Sequence, residues 1–306
     1  MNKNKKYLIV IAGPTAVGKT NMAIELAQLF ETVIVSADSR QFYQELEIGT
    51  AKPNAEELSQ ATHYFINNLS IHDNYDVGKY EKEATALLNK LFLEHDVIVL
   101  TGGSGLYIKA LLEGIDDMPE VPAEVRAKWN QLYAEKGLGF LQEALKQVDP
   151  DYFEQVDKQN HIRLIRALEV HDASGKNMTA WRAASQPAVR DFKAIKIVLN
   201  RDREELYERI DLRMDLMIQE GLFEESKAFH PYQHLNALQT VGYTEIFGYF
   251  DGAYDREEAI RLLKRNSRRY AKRQLTWFNA DDRIKWYNVS SKAELYELIP
   301  ALTSIF

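Results

Sequence analysis

An apolar run, Tyr7-Leu8-Ile9-Val10-Ile11-Ala12, feeds the loop Gly13-Pro14-Thr15-Ala16-Val17-Gly18-Lys19-Thr20, and a helical pattern over Met22, Ile24, Leu26, Ala27, Leu29 and Phe30 follows. Strand, glycine-framed loop ending in Lys19-Thr20, then helix is the arrangement of a phosphate-binding P-loop. Loop N–H groups and the helix N-terminus can point at phosphate oxygens, and Gly18 lets the backbone come close. Lys19 supplies a positive charge, and the Thr20 hydroxyl can hold Mg²⁺. The stretch predicts that residues 13–20 grip a diphosphate-type group at the edge of a parallel sheet. It leaves open which one.

Further β-branched runs supply the rest of that sheet. Residues 32–37, Thr32-Val33-Ile34-Val35-Ser36-Ala37, read as a buried parallel strand closed by Asp38-Ser39-Arg40-Gln41. Ligands in open α/β sheets sit outside the carboxyl ends of the strands, so Asp38 falls on the same rim as the P-loop. Residues 48–53 read as a loop, a short helix begins at Asn54, residues 63–69 make a short edge strand, and a helix spans about 77–95. The run Asp96 to Leu100 ends in Thr101-Gly102-Gly103-Ser104-Gly105. A P-loop ATPase usually places an acid there to hold Mg²⁺, so Thr101 weakens a reading as ordinary ATP hydrolysis.

From Glu113 the pattern changes. A turn-rich stretch, 114–122, leads into helical patterns at 125–135, 139–148 and 160–174, with Gly137 as a helix stop and Asp149-Pro150 as a helix start. Residues 177–191 read as loop-rich, and a strand returns at 194–199. The expected fold is α/β: a P-loop NTPase-like parallel sheet flanked by helices, with an all-helical insertion domain. Its boundaries fall at 1–115 for the first part of the catalytic core, 116–192 for the insertion and 193–306 for the second part. In that second part, helix 204–218 carries Leu206, Ile210, Met214 and Met217 on one stripe, with Arg209 and Arg213 one turn apart. A short helix at 223–230 precedes the loop Gln239 to Glu245.

A last helix, 255–278, holds Arg261, Lys264, Arg265, Arg268, Arg269, Lys272 and Arg273 with no acid between them. Either the run is a solvated face paired with acids elsewhere, or it is a polyanion site. Tyr270, Trp277 and Phe278 beside it favour nucleic acid, since bases stack on rings, although Leu263, Tyr270 and Trp277 also recur every seven residues as core positions do. The overall charge of −7 counts weakly against such a partner. Zero cysteines exclude disulfides and zinc–thiolate sites and fit a cytoplasmic protein. No run of 18 apolar residues is present, so no membrane span is expected. The basic start, Met1 to Lys6, runs into strand one without a cleavage site and does not read as a signal peptide. No long coiled-coil pattern appears, which fits a monomer.

Six motifs stand in order: GPTAVGKT at 13–20, SADSRQFYQELEIGTAKP at 36–53, GGSGLYIKALLEG at 102–114, RLIRALEV at 163–170, QTVGYTEI at 239–246 and RRYAKRQLTWF at 268–278. Together they resemble the bacterial tRNA dimethylallyltransferases (tRNA isopentenyltransferases), relatives of the plant adenylate isopentenyltransferases, from Tyr7 to about Phe278. The resemblance implies transfer of a dimethylallyl group from dimethylallyl diphosphate to N6 of adenosine 37, next to the tRNA anticodon, with Mg²⁺ as cofactor. The P-loop then holds the leaving diphosphate, and its label as ATP-binding is an analogy of motif. Asp38 matches the family's general base, with an N-cap carboxylate as the plainer reading. Ser104 stands where the family usually has Thr, near the bridging oxygen, and Arg213 matches the diphosphate-clamping arginine.

By the same resemblance, Asp38, Ser39, Arg40, Gln41 and Ser104 surround a flipped adenine. Arg126, Ile162, Arg163, Leu164, Ile165 and Arg166 match tRNA-contacting stretches. So do Gln239, Thr240, Val241, Gly242, Tyr243 and Thr244, and also Lys272, Arg273, Gln274, Leu275, Thr276, Trp277, Phe278 and Asn279. The cations among them would meet phosphates of the anticodon stem-loop. The chain departs from the family where Gln159 to Arg163 lacks an Asp, and at Asn279, where Arg is usual. His63 is read as structural. Three other readings remain: prenyl transfer to free AMP or ADP, an ATP-dependent small-molecule kinase, and a nucleotide-binding regulatory or scaffold protein without turnover. The insertion and the basic helix favour tRNA over a mononucleotide.

Overall fold

The structure is a computed structural model that describes residues 5–115, 118–184 and 188–290. Residues 1–4 of the basic start, Asp116 and Asp117 of the turn-rich stretch, residues 185–187 of the expected loop and the end of the second core segment from 291 lie outside those residues.

Packing divides the chain into two compact units: the described residues up to Leu112 together with those from Arg190 onward, and Glu113–Val189. The first unit is built on β1 (Lys6–Ala12), β2 (Ile34–Ser36), β3 (His63–Tyr64), β4 (Val97–Gly102), β5 (Phe192–Asn200) and β6 (Lys285–Asn288). These form one sheet in the order β3-β2-β4-β1-β5-β6, with every pairing parallel. Its helices are α1 (Lys19–Leu29), α2 (Ala55–Gln60), α3 (Val77–Leu91) and α4 (Gly105–Glu113). The second unit supplies α5 (Ala123–Val148), α6 (Pro150–Gln155), α7 (His161–Ser174) and α8 (Met178–Ala184). The first unit resumes with α9 (Arg203–Gln219), α10 (Leu222–Phe229), α11 (Tyr243–Phe250) and α12 (Arg256–Phe278).

The alternation of a strand explains why β1 is apolar throughout. Tyr7, Ile9 and Ile11 pack on one face with Met22, Ala23 and Leu26 of α1 and Leu206 and Ile210 of α9. Leu8, Val10 and Ala12 pack on the other with Tyr80, Ala84 and Leu88 of α3 and Ile108 and Leu111 of α4. A strand buried on both faces cannot carry polar alternation. Each such leucine or isoleucine contributes about 1.5–3 kcal/mol relative to exposure.

Register decides where the loops leave. Ala12 pairs with Gly102, and Ser36 pairs with Thr101, so the P-loop, the Asp38 turn and the Gly103 turn depart from one rim at one level.

Several elements differ from the sequence expectation, two of them because residues turn to positive φ. The strand expected at 32–37 is only Ile34–Ser36, because Glu31 has φ 47° and the Thr32 N–H still bonds back to Ala27. The edge strand expected over 63–69 stops at Tyr64, where Phe65 and Asn67 turn to positive φ. The glycine turn after β4 runs straight into α4, and β6 has no counterpart in the sequence expectation.

Within Glu113–Val189, Gly137 has non-helical backbone angles, φ 74° and ψ −173°, so α5 is two helical segments meeting at a kink, with the break at the expected glycine. The stretch expected to be loop-rich, 177–191, contains α8, which the Asn177 side chain starts by accepting from Ala180 N–H at 2.9 Å. Asp149 is buried; it caps α6 through Tyr152 N–H and accepts from the Thr179 hydroxyl at 2.6 Å. That double duty ties α6 to α8 around a core of Trp129, Leu141, Leu145, Leu164 and Leu168.

Candidate active site

The P-loop is shaped for an anion. Gly18 caps α1 with φ 108°, and no side chain caps that helix, so its first N–H groups face outward from a left-handed position that favours glycine. Val17 is fully buried beneath the loop, and Gly13 and Pro14 are buried as well. These three residues, expected among the diphosphate contacts, support the loop from behind. Thr15, Ala16, Gly18, Lys19 and Thr20 line the cavity in front of it.

Side chains from far along the chain hold the loop's carbonyls. Arg201 Nε donates to Val17 O and Arg209 Nε to Ala16 O, both at 2.9 Å. Lys19 Nζ donates to Pro14 O at 2.8 Å. Sequence reasoning misses Arg201. Its position just beyond β5, on the ligand-binding rim, is the available signal.

The cavity has a volume of about 420 Å³ and lies within the first unit. Among the described residues Lys19, Arg40, Arg209 and Arg213 line it against two carboxylates, Asp38 and Glu57, so it favours an anion. Burial lowers the Lys19 ammonium to about 8; Asp38 works against that shift and Arg213 adds to it. Burial also lowers the Arg213 guanidinium, with Asp38 opposing. Arg213 donates to Ala51 O at 3.2 Å, fixing its reach between the residue 48–53 turn and the P-loop. Burial, then Asp38, raises the Tyr270 phenol to about 12, so it lines the cavity as a neutral donor. Met214, Met217 and Leu222 supply an apolar wall.

Asp38 stands on this wall as expected from its place after β2. One carboxylate oxygen accepts from Arg40 N–H at 3.1 Å, a local turn that fixes the rotamer. The plainer reading of Asp38 as a turn-closing carboxylate is thus present alongside its place on the cavity wall.

The neighbouring polar residues are more engaged than expected. Ser104 is not among the residues lining the cavity; its hydroxyl accepts from Ser39 N–H at 3.0 Å and bonds the Ser39 hydroxyl at 3.1 Å. Arg40 donates to the carbonyls of Asn236 and Ala237, and Gln41 donates to Ala51 O. Glu225, which sequence reasoning also misses, accepts from the N–H groups of Glu47, Ile48 and Gly49 and from the Tyr243 hydroxyl, and so holds the residue 48–53 turn in place.

Thr20, expected from the loop pattern to hold Mg²⁺, lines the cavity, as do the carboxylates of Asp38 and Glu57. No cluster of three or more His, Asp or Glu that could hold a metal is found among the described residues. Mg²⁺ commonly takes one or two protein oxygens with phosphate and water as its other ligands, and Thr20 with a cavity carboxylate would supply those.

Some residues expected at a nucleic-acid surface face inward. Tyr243, Gln274 and Phe278 are buried in the first unit, and Leu164 and Ile165 are buried in the second. Helical periodicity turns these positions toward a core while their neighbours stay out: Ile162 is 68 % exposed, and Arg163 is exposed. Arg126 and Arg166 share the buried Glu169 at 3.0 and 3.8 Å, so each has an acid partner already. Asn160 caps α7 by accepting from Arg163 N–H. Thr240, Val241 and Gly242 line the cavity, and Gln239, Thr244, Leu275, Thr276 and Asn279 lie on the partly or fully exposed surface.

The basic run on α12 is split. Arg261 pairs with Glu258, Lys264 with Asp215 and Arg268 with Asp211. Arg269, Lys272 and Arg273 are exposed and form no ion pair among the described residues, and Thr276 and Trp277 continue their face. The heptad reading fails for Trp277, which is 41 % exposed, while Leu263 is core.

The IPP transferase family model matches residues 41–281. The chain is 49% identical over 296 residues to a Cytophaga hutchinsonii protein named tRNA dimethylallyltransferase, covering 97% of each chain. A solved tRNA isopentenylpyrophosphate transferase from Bacillus halodurans superposes with a TM-score of 0.68 at 33% identity, over 93% of this chain and 90% of that one. A Staphylococcus epidermidis tRNA delta(2)-isopentenylpyrophosphate transferase gives 0.69 at 32% identity, over 98% and 99%.

Proposed function

The chain belongs to the IPP transferase family, and we propose that it transfers a dimethylallyl group from dimethylallyl diphosphate to N6 of the adenosine beside a tRNA anticodon. The enzyme is a prenyltransferase acting on tRNA. One observation carries the mechanism: Lys19, Thr20, Arg213 and Asp38 line a single cavity. That cavity puts an anion-gripping loop and a carboxylate base on one small volume.

In this reading, N6 attacks C1 of the dimethylallyl group while the C1–O bond breaks. The bonding pair leaves with the diphosphate. Loop N–H groups, Lys19 and Arg213 stabilise its growing charge, as an oxyanion hole would. Asp38 takes the N6 proton, so no attacking water is needed. The place that an ATPase gives to an acid holds Thr101, whose hydroxyl donates to Ile11 O at 3.2 Å. Thr20, with the diphosphate, would hold Mg²⁺, which supplies further charge neutralisation at the leaving group. For Ser104 to donate to the bridging oxygen, its hydroxyl proton would leave Ser39 Oγ, while the oxygen could still accept from Ser39 N–H.

The adenine must leave the stacked anticodon loop to reach Asp38. Arg269, Lys272 and Arg273 supply cations for the RNA backbone. Arg163, Gln239, Thr240 and Thr244 are further proposed RNA contacts. No helix among the described residues is long and apolar enough to cross a membrane. The reading also places the enzyme in the cytoplasm as a monomer.

The test sets radiolabelled dimethylallyl diphosphate and Mg²⁺ with an anticodon stem-loop carrying adenosine at that position, and with AMP in parallel. Label on the RNA alone is expected. Label on AMP alone, or γ-phosphate transfer from ATP without prenylation, would overturn the reading.

A further inference from the structure

The Gln274 side chain occupies an unusual place between the two working edges of the cavity. It rises from α12 and is 6 % exposed. Its Oε1 accepts from the Thr15 N–H of the P-loop at 2.9 Å, and its Nε2 donates to the Gly103 carbonyl at 3.0 Å. The first partner belongs to the loop that would hold the leaving group. The second opens the turn carrying Ser104, whose hydroxyl bonds Ser39, the residue after Asp38.

One planar amide therefore spans the electrophile's cradle and the base's support. The Gly103 turn is pressed against it: a Cβ at that position would lie 2.3 Å from Nε2. An amide is well matched to this place, since it offers one acceptor and one donor in a fixed plane. A carboxylate could serve Thr15 but would meet the Gly103 carbonyl with a lone pair. An apolar side chain would leave both backbone groups unpaired in a buried setting, which costs more than a surface hydrogen bond.

We infer that Gln274 is a positioning residue for prenyl transfer, setting the separation between the diphosphate at the P-loop and the Asp38 carboxylate. This rests on the prenyl-transfer reading above. It assigns to Gln274 an effect on turnover, while RNA and diphosphate still bind. Misplacement of reacting groups by about 1 Å can cost roughly a hundred-fold in rate.

The test compares wild type, Gln274→Met and Gln274→Glu by steady-state kinetics. Binding of the analogue with sulfur in place of the bridging oxygen of dimethylallyl diphosphate is measured alongside. Gln274→Met keeps the volume but loses both hydrogen bonds. Its kcat is expected to fall about a hundred-fold, with both KM values and the analogue Kd within about threefold of wild type. A kcat within threefold of wild type, or a loss confined to KM, overturns the inference.

Gln274→Glu decides the matter if the Met variant does not fold. A protonated Glu can again donate to Gly103, so its kcat relative to wild type should rise about tenfold from about pH 8 to about pH 6. A flat ratio overturns the inference. Absence of RNA prenylation by wild type would overturn the parent reading instead, and the two failures are distinct.

Discussion

Lys264 of α12 is held by Asp215 of α9, with Nζ 2.6 Å from the carboxylate. One turn further on, Arg268 is held by Asp211 of the same helix. Two acids on α9 thus cancel two of the seven cations that dominate α12 in sequence, and Glu258 takes a third, Arg261. Of the other four, Arg265 is half-buried and donates to Asn266 Oδ1, so among the described residues the exposed cations left for a polyanion are Arg269, Lys272 and Arg273.

That split predicts a selective salt effect. Replacing Arg269, Lys272 and Arg273 by Ala should weaken binding of the stem-loop and flatten the plot of log affinity against log salt. The slope should fall by roughly 0.7–0.9 for each phosphate that the variant no longer neutralises. Lys264→Ala should leave the slope unchanged. Filter binding across a salt series checks both, and equal effects from the two sets would sink the assignment.

Lys19 predicts a pH limit on donor binding. Burial places its ammonium at about 8 against an ordinary 10.5, so the free enzyme loses this cation as pH rises through about 8. The kcat/KM for dimethylallyl diphosphate should fall above that pH, because a deprotonated lysine no longer attracts the diphosphate. Stability moves the other way. The unfolded chain keeps the proton up to 10.5, so the cost of burying this charge is relieved between about 8 and 10.5. A kcat/KM that stays flat to about pH 9.5 would count against the assignment.

Asp38→Ala should lower kcat by roughly 10²–10⁴, the usual range for a general base, and leave RNA affinity within about threefold. Single-turnover prenylation with saturating RNA separates the two quantities. Full activity would remove Asp38 from the chemistry.

Arg213→Lys should cost about 1.5–3 kcal/mol in kcat/KM for the diphosphate, or roughly ten- to a hundred-fold. An ammonium cannot both donate to Ala51 O, as the guanidinium does at 3.2 Å, and present a fork to phosphate oxygens. The KM for RNA should not move. A loss shared equally by both substrates would point to a damaged fold.

Gly103→Ala should destabilise the protein by about 1–3 kcal/mol, since the added Cβ forces Gln274 or the turn aside. A Cβ there would lie 2.3 Å from Gln274 Nε2, so the amide must shift and give up its bond to Gly103 O. Thermal melting measures the change, and an unaltered Tm would show that the turn yields without cost.

Much of the site's outline is readable from local pattern. The apolar run before Gly13, the Lys19-Thr20 pair and the helical spacing after it specify strand, loop and helix without reference to distant residues. Asp38 is placed on the rim by the rule that ligands lie beyond the carboxyl ends of parallel strands. Short elements are less legible. The 63–69 strand shrinks to two residues because left-handed Phe65 and Asn67 break its ladder, and neither residue type announces that conformation as glycine does.

The sequence by itself determined the P-loop, the parallel αβ core, the helical character of the insertion and the rim on which Asp38 stands, because each depends on neighbours within a few residues. Tertiary structure alone decided which side chains hold that loop: Arg201, Arg209 and Gln274 reach it from 184, 193 and 259 positions away. It also decided which cations stay free, since Asp211 and Asp215 neutralise α12 only once α9 packs beside it. Pairing across such distances leaves no periodic trace in the chain. It exists only when the fold brings the partners within a few ångströms.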